Sequence, residues 1–453
     1  MKQKKVYFVS LGCSKNLVDS EVMLGSLKKH GFEMASEPEN ATVIVINTCG
    51  FIDAAKKESI DSILEMAEYK KATKGICQIL VVAGCLTQRY SADLEFEIPE
   101  VDLFIGTGEY NKIVELLEQK DQGKLQQKSF VNTPQFIHTE NDERMLSTPS
   151  YMAWLKVSEG CDRHCTFCAI PSIRGKLRSR SVDSLVKETK HLVEQGVKEV
   201  NLISQDLSKY GQDLGGENTL LHLLKSLEEI KDLAWIRLFY YYPDDLSIEL
   251  IDLIKNSKKI CHYLDMPVQH FSDDVLKRMN RKITGAQIHQ KIALLRERIP
   301  DMVIRTSIIV GFPGETDEDF GKLLEGAELV QFDHLGVFKY SDEEGTPAFN
   351  FKEKNSEEMI DQRHYELYEL QKEIAEIRNE RYIGKTLEVL IEGFHEESEQ
   401  LIVGRHRGQA PEIDGKVIIN DDNGHTLKKG DLVMVEVSEV YEYDLVGRVV
   451  SVS

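Results

Sequence analysis

Cys161-Asp-Arg-His-Cys165-Thr-Phe-Cys168 places three thiols within eight residues. Three thiolates at that spacing can hold three irons of a four-iron cube and leave the fourth iron without a protein ligand. Such an iron can bind a small molecule directly and pass it an electron. A zinc knuckle is the alternative, but it needs a fourth ligand in tetrahedral geometry, and His164 lies inside the loop where it cannot easily provide one. A second set is dispersed: Cys13, Cys49 and Cys85 are separated by equal steps of 36 residues. That step suits one strand-helix-strand unit, and each thiol falls two or three residues beyond the end of an expected strand. In an open parallel sheet such positions share one edge, where these folds gather ligands. The competing reading is that free cysteines are buried as small hydrophobes, which suits Cys77 and Cys261. For the dispersed trio, the adjacent Gly12, Gly50 and Gly84 favour convergence, since glycine lets backbone approach a bulky group.

The elements that would position these thiols follow from apolar patterning. Apolar runs at 6–10, 43–46, 79–83 and 101–105 alternate with helical stretches, predicting an open parallel sheet covered by helices over residues 1–140. Gly31 closes the first helix. The polar stretch 120–150, with Pro134 and Pro149, reads as a linker. Six further strands are expected at 152–157, 200–203, 235–239, 263–266, 303–310 and 335–338. They suit a partial, six-stranded α/β barrel within 147–380, whose site lies at the strands' C-terminal ends. A charged helix carries Leu367, Leu370, Ile374 and Ile377 as a packing stripe. Short alternating strands at 387–391, 417–419, 432–437 and 446–449 predict a small β-barrel over 381–453.

Composition narrows the function classes. Eight cysteines in 453 residues exclude a disulfide scaffold,. A mean hydropathy of −0.32 and 41% hydrophobic residues fit a globular chain. No apolar run approaches a membrane span, and the short apolar stretch after MKQKK is no signal-peptide core, so a cytoplasmic protein is expected. Net charge is −20. The C-terminal segment 381–453 holds eight basic and fourteen acidic residues, a net of −6. That surface suits a basic protein partner better than nucleic acid.

On these motifs the chain resembles the radical S-adenosylmethionine methylthiotransferases along essentially its whole length. The resemblance rests on the three-cysteine loop with Phe167 before its last thiol, the three spaced N-terminal cysteines and a TRAM-like terminal barrel. Ser10-Leu-Gly-Cys-Ser-Lys-Asn-Leu-Val-Asp-Ser-Glu21 looks like the branch that modifies an aspartate of small-subunit ribosomal protein S twelve. The tRNA-modifying branch typically has Gln-Met-Asn where Ser14-Lys15-Asn16 stands. The resemblance implies two 4Fe-4S clusters and S-adenosylmethionine. Cys161, Cys165 and Cys168 would bind the cluster that chelates S-adenosylmethionine and cleaves it to a 5′-deoxyadenosyl radical. Cys13, Cys49 and Cys85 would bind an auxiliary cluster that holds or donates sulfur, and a second S-adenosylmethionine would supply the methyl group. An electron donor is implied as a further partner, and the terminal barrel would recognise substrate.

Other positions carry paired readings. Gly311-Phe-Pro-Gly314-Glu315 resembles the family's cofactor-binding glycine motif, and is equally a turn into a helix capped by Thr316 with Asp319 three residues on. Gln205 and Asp206 could bind the cofactor's methionine or ribose groups, or be solvated loop ends. Arg174, Lys176, Arg178 and Arg180 form a basic run that could hold anionic groups, although a solvated face is the favoured reading. No residue is assigned a general acid-base role. Two functions stand beside methylthiolation of a ribosomal protein: methylthiolation of tRNA by the same chemistry, and electron carriage by two clusters. A carrier normally closes all four iron positions, which a three-cysteine loop does not.

Overall fold

Residues 43–48 and 79–84 read VIVINT and ILVVAG, runs with no polar face, and both are buried along their whole length. Such runs belong inside a parallel sheet covered on two sides. The computed structural model describes residues 4–452, the side chains of Glu399 and Gln400 excepted. Its first sheet comprises β1 (Lys5–Ser10), β2 (Glu33–Met34), β3 (Val43–Thr48), β4 (Ile79–Gly84), β5 (Leu103–Ile105) and β6 (Ser129–Phe130), in the order β2-β1-β3-β4-β5-β6, all parallel. Alternate residues of one strand feed separate cores. Val43 and Val45 pack with Val22 and Leu27 of helix α1 (Ser14–Lys29). Ile44 and Ile46 pack with Ile63 and Met66 of α2 (Asp53–Ala67). Helices α3 (Cys85–Glu97) and α4 (Ile113–Asp121) complete the two layers.

The stretch expected to be a linker is packed instead. It includes the end of α4 and strand β6, His138 is fully buried, and the Arg144 side chain is buried between Glu21 of α1 and Glu188. Its polarity reflects buried ion pairing, which a composition scan mistakes for solvation.

The second sheet runs β14-β13-β12-β11-β10-β7, again parallel and six-stranded among the described residues, and it does not close. Its members are β7 (Met152–Lys156), β10 (Glu199–Ile203), β11 (Trp235–Leu238), β12 (Ile260–Asp265), β13 (Val303–Val310) and β14 (His334–Lys339). A small antiparallel pair, β8 (Ser158–Glu159) and β9 (Arg178–Ser179), brackets the three-cysteine loop. The inner face is aromatic, with Trp154, Trp235, Phe239 and Tyr263, and both other parts of the chain cover it: Leu17 and Val18 from α1, Leu390 and Ala410 from the C-terminal segment. At the strands' N-terminal ends, Glu199 pairs with Arg405 at 2.7 Å, the Trp235 indole donates to Glu388 at 2.7 Å, and the Tyr263 hydroxyl donates to Asp414 at 2.8 Å.

That C-terminal segment is a closed barrel of β15 (Thr386–His395), β16 (Ser398–His406), β17 (Val417–Asp421), β18 (Leu432–Val440) and β19 (Leu445–Val452), ordered β15-β16-β17-β19-β18. Val433, Val435 and Val437 point inward at alternate positions. The expected stripe on the long helix Glu357–Asn379 holds for Leu367 and Ile374, which are buried, and for the partly buried Leu370. It fails at Ile377, which is 57% exposed. Among the described residues no helix is long and apolar enough to cross a membrane.

Candidate functional site

The dispersed cysteines meet at the C-terminal edge of the first sheet. Register aligns Ser10 with Asn47 and Thr48 with Gly84, so the three chain exits lie side by side. Cys13 is the N-cap of α1, Cys49 follows β3, and Cys85 is the first residue of α3. Two helix N-termini thereby direct positive potential at the thiols. The approach is close enough that a Cβ at Gly12 would lie 2.9 Å from the Cys49 Cβ and 3.3 Å from its Sγ. Gly84 sits at φ +97°, where a Cβ would strike Asn47 and the Thr48 carbonyl. Ser59 ties down Cys49, accepting from its N–H and donating to its carbonyl, both at 3.0 Å. Arg174 Nη2 lies 3.2 Å from the Cys85 Sγ. Burial pushes the Cys85 thiol up to about 12, opposed by Arg174 and reinforced by Cys13 and Cys49. Cys49 is raised for the same first reason.

The second trio lies beyond β8. The Cys161 N–H donates to the Gly175 carbonyl at 3.1 Å and the Cys168 N–H to the Cys165 carbonyl at 3.1 Å, winding the loop back on itself. Burial pushes Cys161 and Cys168 up to about 12, and each thiol also feels Cys165. The Tyr242 hydroxyl is 3.3 Å from the Cys165 Sγ. Arg281 stacks 4.0 Å above the Tyr242 ring, with Nη1 3.9 Å from the same sulfur. All six cysteines are free thiols. Both trios therefore bring three thiols within electrostatic reach of one another, with cationic groups nearby and no fourth protein thiol, a donor set that fits a cluster with one open iron,. Among the described residues no three Cys, His, Asp or Glu converge as a single-ion site. Raised thiols must lose protons to bind iron, so assembly is linked to proton release.

The Radical SAM superfamily profile matches residues 155–327, that of uncharacterized protein family UPF0004 residues 5–106, and that of the TRAM domain residues 383–450. Ribosomal protein uS12 methylthiotransferase RimO of Geobacter sulfurreducens is 48% identical, covering 99% of each chain. The protein of the same name from Myxococcus xanthus is 49% identical over 99% of this chain and 92% of that one. The chain belongs to the RimO family. Among solved structures, the radical S-adenosylmethionine methyltransferase TsrM of Kitasatospora setae, with cobalamin and a [4Fe-4S] cluster bound, superposes with a TM-score of 0.55 at 14% identity, covering 76% of this chain and 74% of that one. The cobalamin-dependent enzyme OxsB gives 0.54 at 14%, covering 80% and 56%. At that identity they speak for the fold alone.

In this RimO-family chain a buried ionic group joins the two cysteine sites. Arg174 reaches Asp19 of α1 at 2.5 Å, Glu159 at 3.2 Å and Asn16 at 3.2 Å, besides Cys85. Lys156 pairs with the same Asp19 and with Glu159 at 2.7 Å. Burial works to raise the Glu159 carboxyl, yet Arg174 and Lys156 hold it well below the usual range. Glu159 stands two residues before Cys161. The basic run is thus not a solvated face: Arg174 and Arg180 are buried, Lys176 alone is exposed, and Arg178 is half-buried.

The remaining sequence candidates divide. Gln205 and Asp206 follow β10 at the barrel mouth. The Gln205 amide donates to Glu159 at 2.6 Å, and Asp206, its carboxyl raised by burial, pairs with Arg163 at 2.8 Å. Arg163 also reaches Asp244 at 2.6 Å and Asp245, and stacks 4.3 Å over Tyr242. Phe167 packs edge-on against the buried Phe312, centroids 6.5 Å apart. Gly311 and Gly314 have φ near +76° and +79°, but the space beside them is filled by Ile360 and Arg278 of this chain. Both Glu315 oxygens are engaged internally, by Arg363 at 2.8 Å and by the Gly311 N–H at 3.0 Å. The turn is formed, with the Thr316–Asp319 capping box in place, and a cofactor-binding role for the segment is compatible with it. Sequence reasoning missed Arg163, Arg174, Arg281 and Tyr242 as neighbours of sulfur. Arg163 was within the motif and its charge was the available signal; the others become neighbours only through the fold.

Proposed function

We propose that this chain transfers a methylthio group to an aspartate of ribosomal protein uS12, using S-adenosylmethionine and two 4Fe-4S clusters. The observation that carries the reading is the presence of two three-thiol sites, one touched by Arg174 of a buried ionic group whose Glu159 stands two residues before the other, in a chain aligned end to end with the RimO family. Residues 1–140 would hold the auxiliary cluster through Cys13, Cys49 and Cys85, residues 147–380 the radical-generating cluster through Cys161, Cys165 and Cys168, and residues 381–453 would recognise the substrate. When bound, the barrel cluster supplies the electron for reductive cleavage of S-adenosylmethionine and the auxiliary cluster the sulfur.

The chain's own residues bind, orient and exclude water. Tyr242 and Arg281 cover the Cys165 side of the barrel site, and Arg281 is fixed by donating to the Pro267 carbonyl at 2.6 Å. Gln205 and Asp206, which follow β10, would meet polar groups of S-adenosylmethionine, and the Phe167 ring would supply an apolar wall. Backbone at Gly311 and Gly314 shapes the neighbouring turn, which Glu315 holds closed. A reducing protein partner is required, since no side chain here is an electron source. The net charge of −6 on the terminal segment favours a basic protein over RNA as substrate,.

The test is mass spectrometry of uS12 and of bulk tRNA incubated separately with reconstituted protein, S-adenosylmethionine and a reductant, with 5′-deoxyadenosine measured in parallel. The expected result is one methylthio addition on uS12 and none on tRNA. Addition to tRNA alone overturns the substrate; absence of 5′-deoxyadenosine overturns the radical chemistry.

A further inference from the structure

Lys15 is the second residue of α1 and only 7% exposed. It shares with Val18 and Asp19 the face of the helix that meets the barrel: Val18 packs in the barrel's inner core, and Asp19 reaches Lys156. Its ammonium stands over the Tyr240 ring, 2.9 Å from the centroid. Among the described residues no carboxylate or hydrogen-bond acceptor partners it. Each acid around this position is committed elsewhere. Asp19 serves Lys156 and Arg174; Glu21 serves Arg144 and Ser147; Asp265 serves the Tyr240 N–H and Arg305. A buried charge without a counter-ion is costly unless something arrives to pair with it.

The aromatic half of this feature is held with equal care. Tyr240 lies two residues beyond the end of β11, at the barrel mouth, with φ +58°. Its N–H donates to Asp265 at 3.0 Å and its carbonyl accepts from the Leu207 N–H at 3.0 Å. A non-glycine residue is retained in that conformation only where its surroundings over-determine it. Two residues on, Tyr242 touches Cys165; two residues before Lys15 stands Cys13. Each half of the pair thus neighbours one cysteine site along the chain, Lys15 the site of Cys13 and Tyr240 the site that Tyr242 touches.

We infer that Lys15, backed by Tyr240, is the substrate-positioning cation that receives the side-chain carboxylate of the target aspartate. This rests on the function proposed above and specifies how its substrate is chosen. An ammonium held over a ring face is partly desolvated and pre-oriented, so an incoming carboxylate gains a charge-assisted hydrogen bond. A site built around an unpaired charge rejects an isostere that lacks the matching one, because the charge is then left buried and alone. Asparagine is that isostere.

The experiment measures binding, with activity as a separate arm. Cluster-loaded wild type, Lys15→Met, Lys15→Gln and Lys15→Arg are titrated with a fluorescent synthetic peptide of the uS12 target loop, carrying either Asp or Asn at the modified position. The wild type is expected to prefer the Asp peptide by about thirtyfold or more, the range in which one partner of a buried charge pair is lost. Lys15→Met should abolish that preference, and Lys15→Arg should keep part of it. The ratio is internal to each protein, so a general defect moves both affinities together. Should Lys15→Met fail to hold iron, Lys15→Gln carries the same comparison. A wild-type preference retained in the neutral variants overturns the inference, as does equal wild-type affinity for both peptides when the Asp peptide is still methylthiolated. Absence of methylthiolation of both peptides and of intact uS12 by the wild type overturns the function itself, and the inference with it.

Discussion

Replacing Arg174 with Met is expected to loosen the docking of the first sheet on the barrel. Asp19, Glu159, Lys156 and Arg174 form a buried set of two acids and two bases, neutral as a whole. Arg174 is 2% exposed. Its loss leaves two carboxylates sharing one lysine, and breaking a buried pair in this way costs about 3–5 kcal/mol. For the 453-residue chain melting as one cooperative unit, at about 2.1 cal/mol/K of unfolding entropy per residue, that is a fall of roughly 3–5 °C in Tm. Trp154 and Trp235, the only tryptophans in the sequence, both lie in the inner core that α1 covers, so intrinsic fluorescence reports the opening directly. The control is Arg178→Gln. Its guanidinium donates to the Lys176 and Arg174 carbonyls at 2.8 and 3.1 Å, neutral acceptors, and its loss should cost about 1 kcal/mol,. The sharper comparison is Asp19→Asn combined with Arg174→Met, which restores neutrality and should recover most of the loss. Equal melting of the Arg174 and Arg178 variants, or strict additivity in the double variant, would refute the reasoning.

Two further outcomes are expected. Reconstituted protein should hold about eight irons per chain, and changing Cys161, Cys165 and Cys168 together to Ala should leave about four; colorimetric iron analysis checks this. His138 is fully buried, and burial lowers its pKa to about 4. The unfolded chain binds this proton near the ordinary value, so stability is fully present above about 6.5 and falls as pH drops toward 4, by about 3 kcal/mol over the window. Chemical denaturation at pH 7 and pH 5 should show a smaller fall in a His138→Gln variant than in the wild type.

Much of the frame was legible because burial on two faces writes itself as uninterrupted apolar runs. β3 and β4 are read that way, whereas the strands of the second sheet are shorter apolar runs broken by residues such as Asn201, Arg237 and Ser307. The meeting of Cys13, Cys49 and Cys85 followed from one rule, that parallel strands expose their ends on a common edge. Short edge strands such as β2 and β6 carry too few residues for a period, and β16 was missed because its start, Ser398-Glu-Gln, is polar. Charge was the less legible part. Arg174 and Arg180 look like surface residues until Asp19, from the first helix, and Glu188, eight residues after Arg180, supply their counter-ions. Glu315 looked available to a ligand because the sequence does not reveal Arg363 across from it. Lys15 stood two residues from a cysteine without its burial being visible, since the Tyr240 ring it meets is more than two hundred residues away.

The inner core of the barrel has a consequence for biosynthesis. Leu17 and Val18 emerge from the ribosome early, the strands follow, and Leu390 and Ala410 arrive last. From the end of β14 to Asp414 lie about 75 residues, which at usual synthesis rates is a delay of roughly 4–15 s. Throughout that interval Trp235 and Tyr263 lack their final cover and Glu199 lacks Arg405. The three modules that profiles distinguish along the chain are therefore not three successive folding events: the middle one matures only when the last is nearly complete, and a chain stopped at residue 380 would display an aromatic wall to the cell.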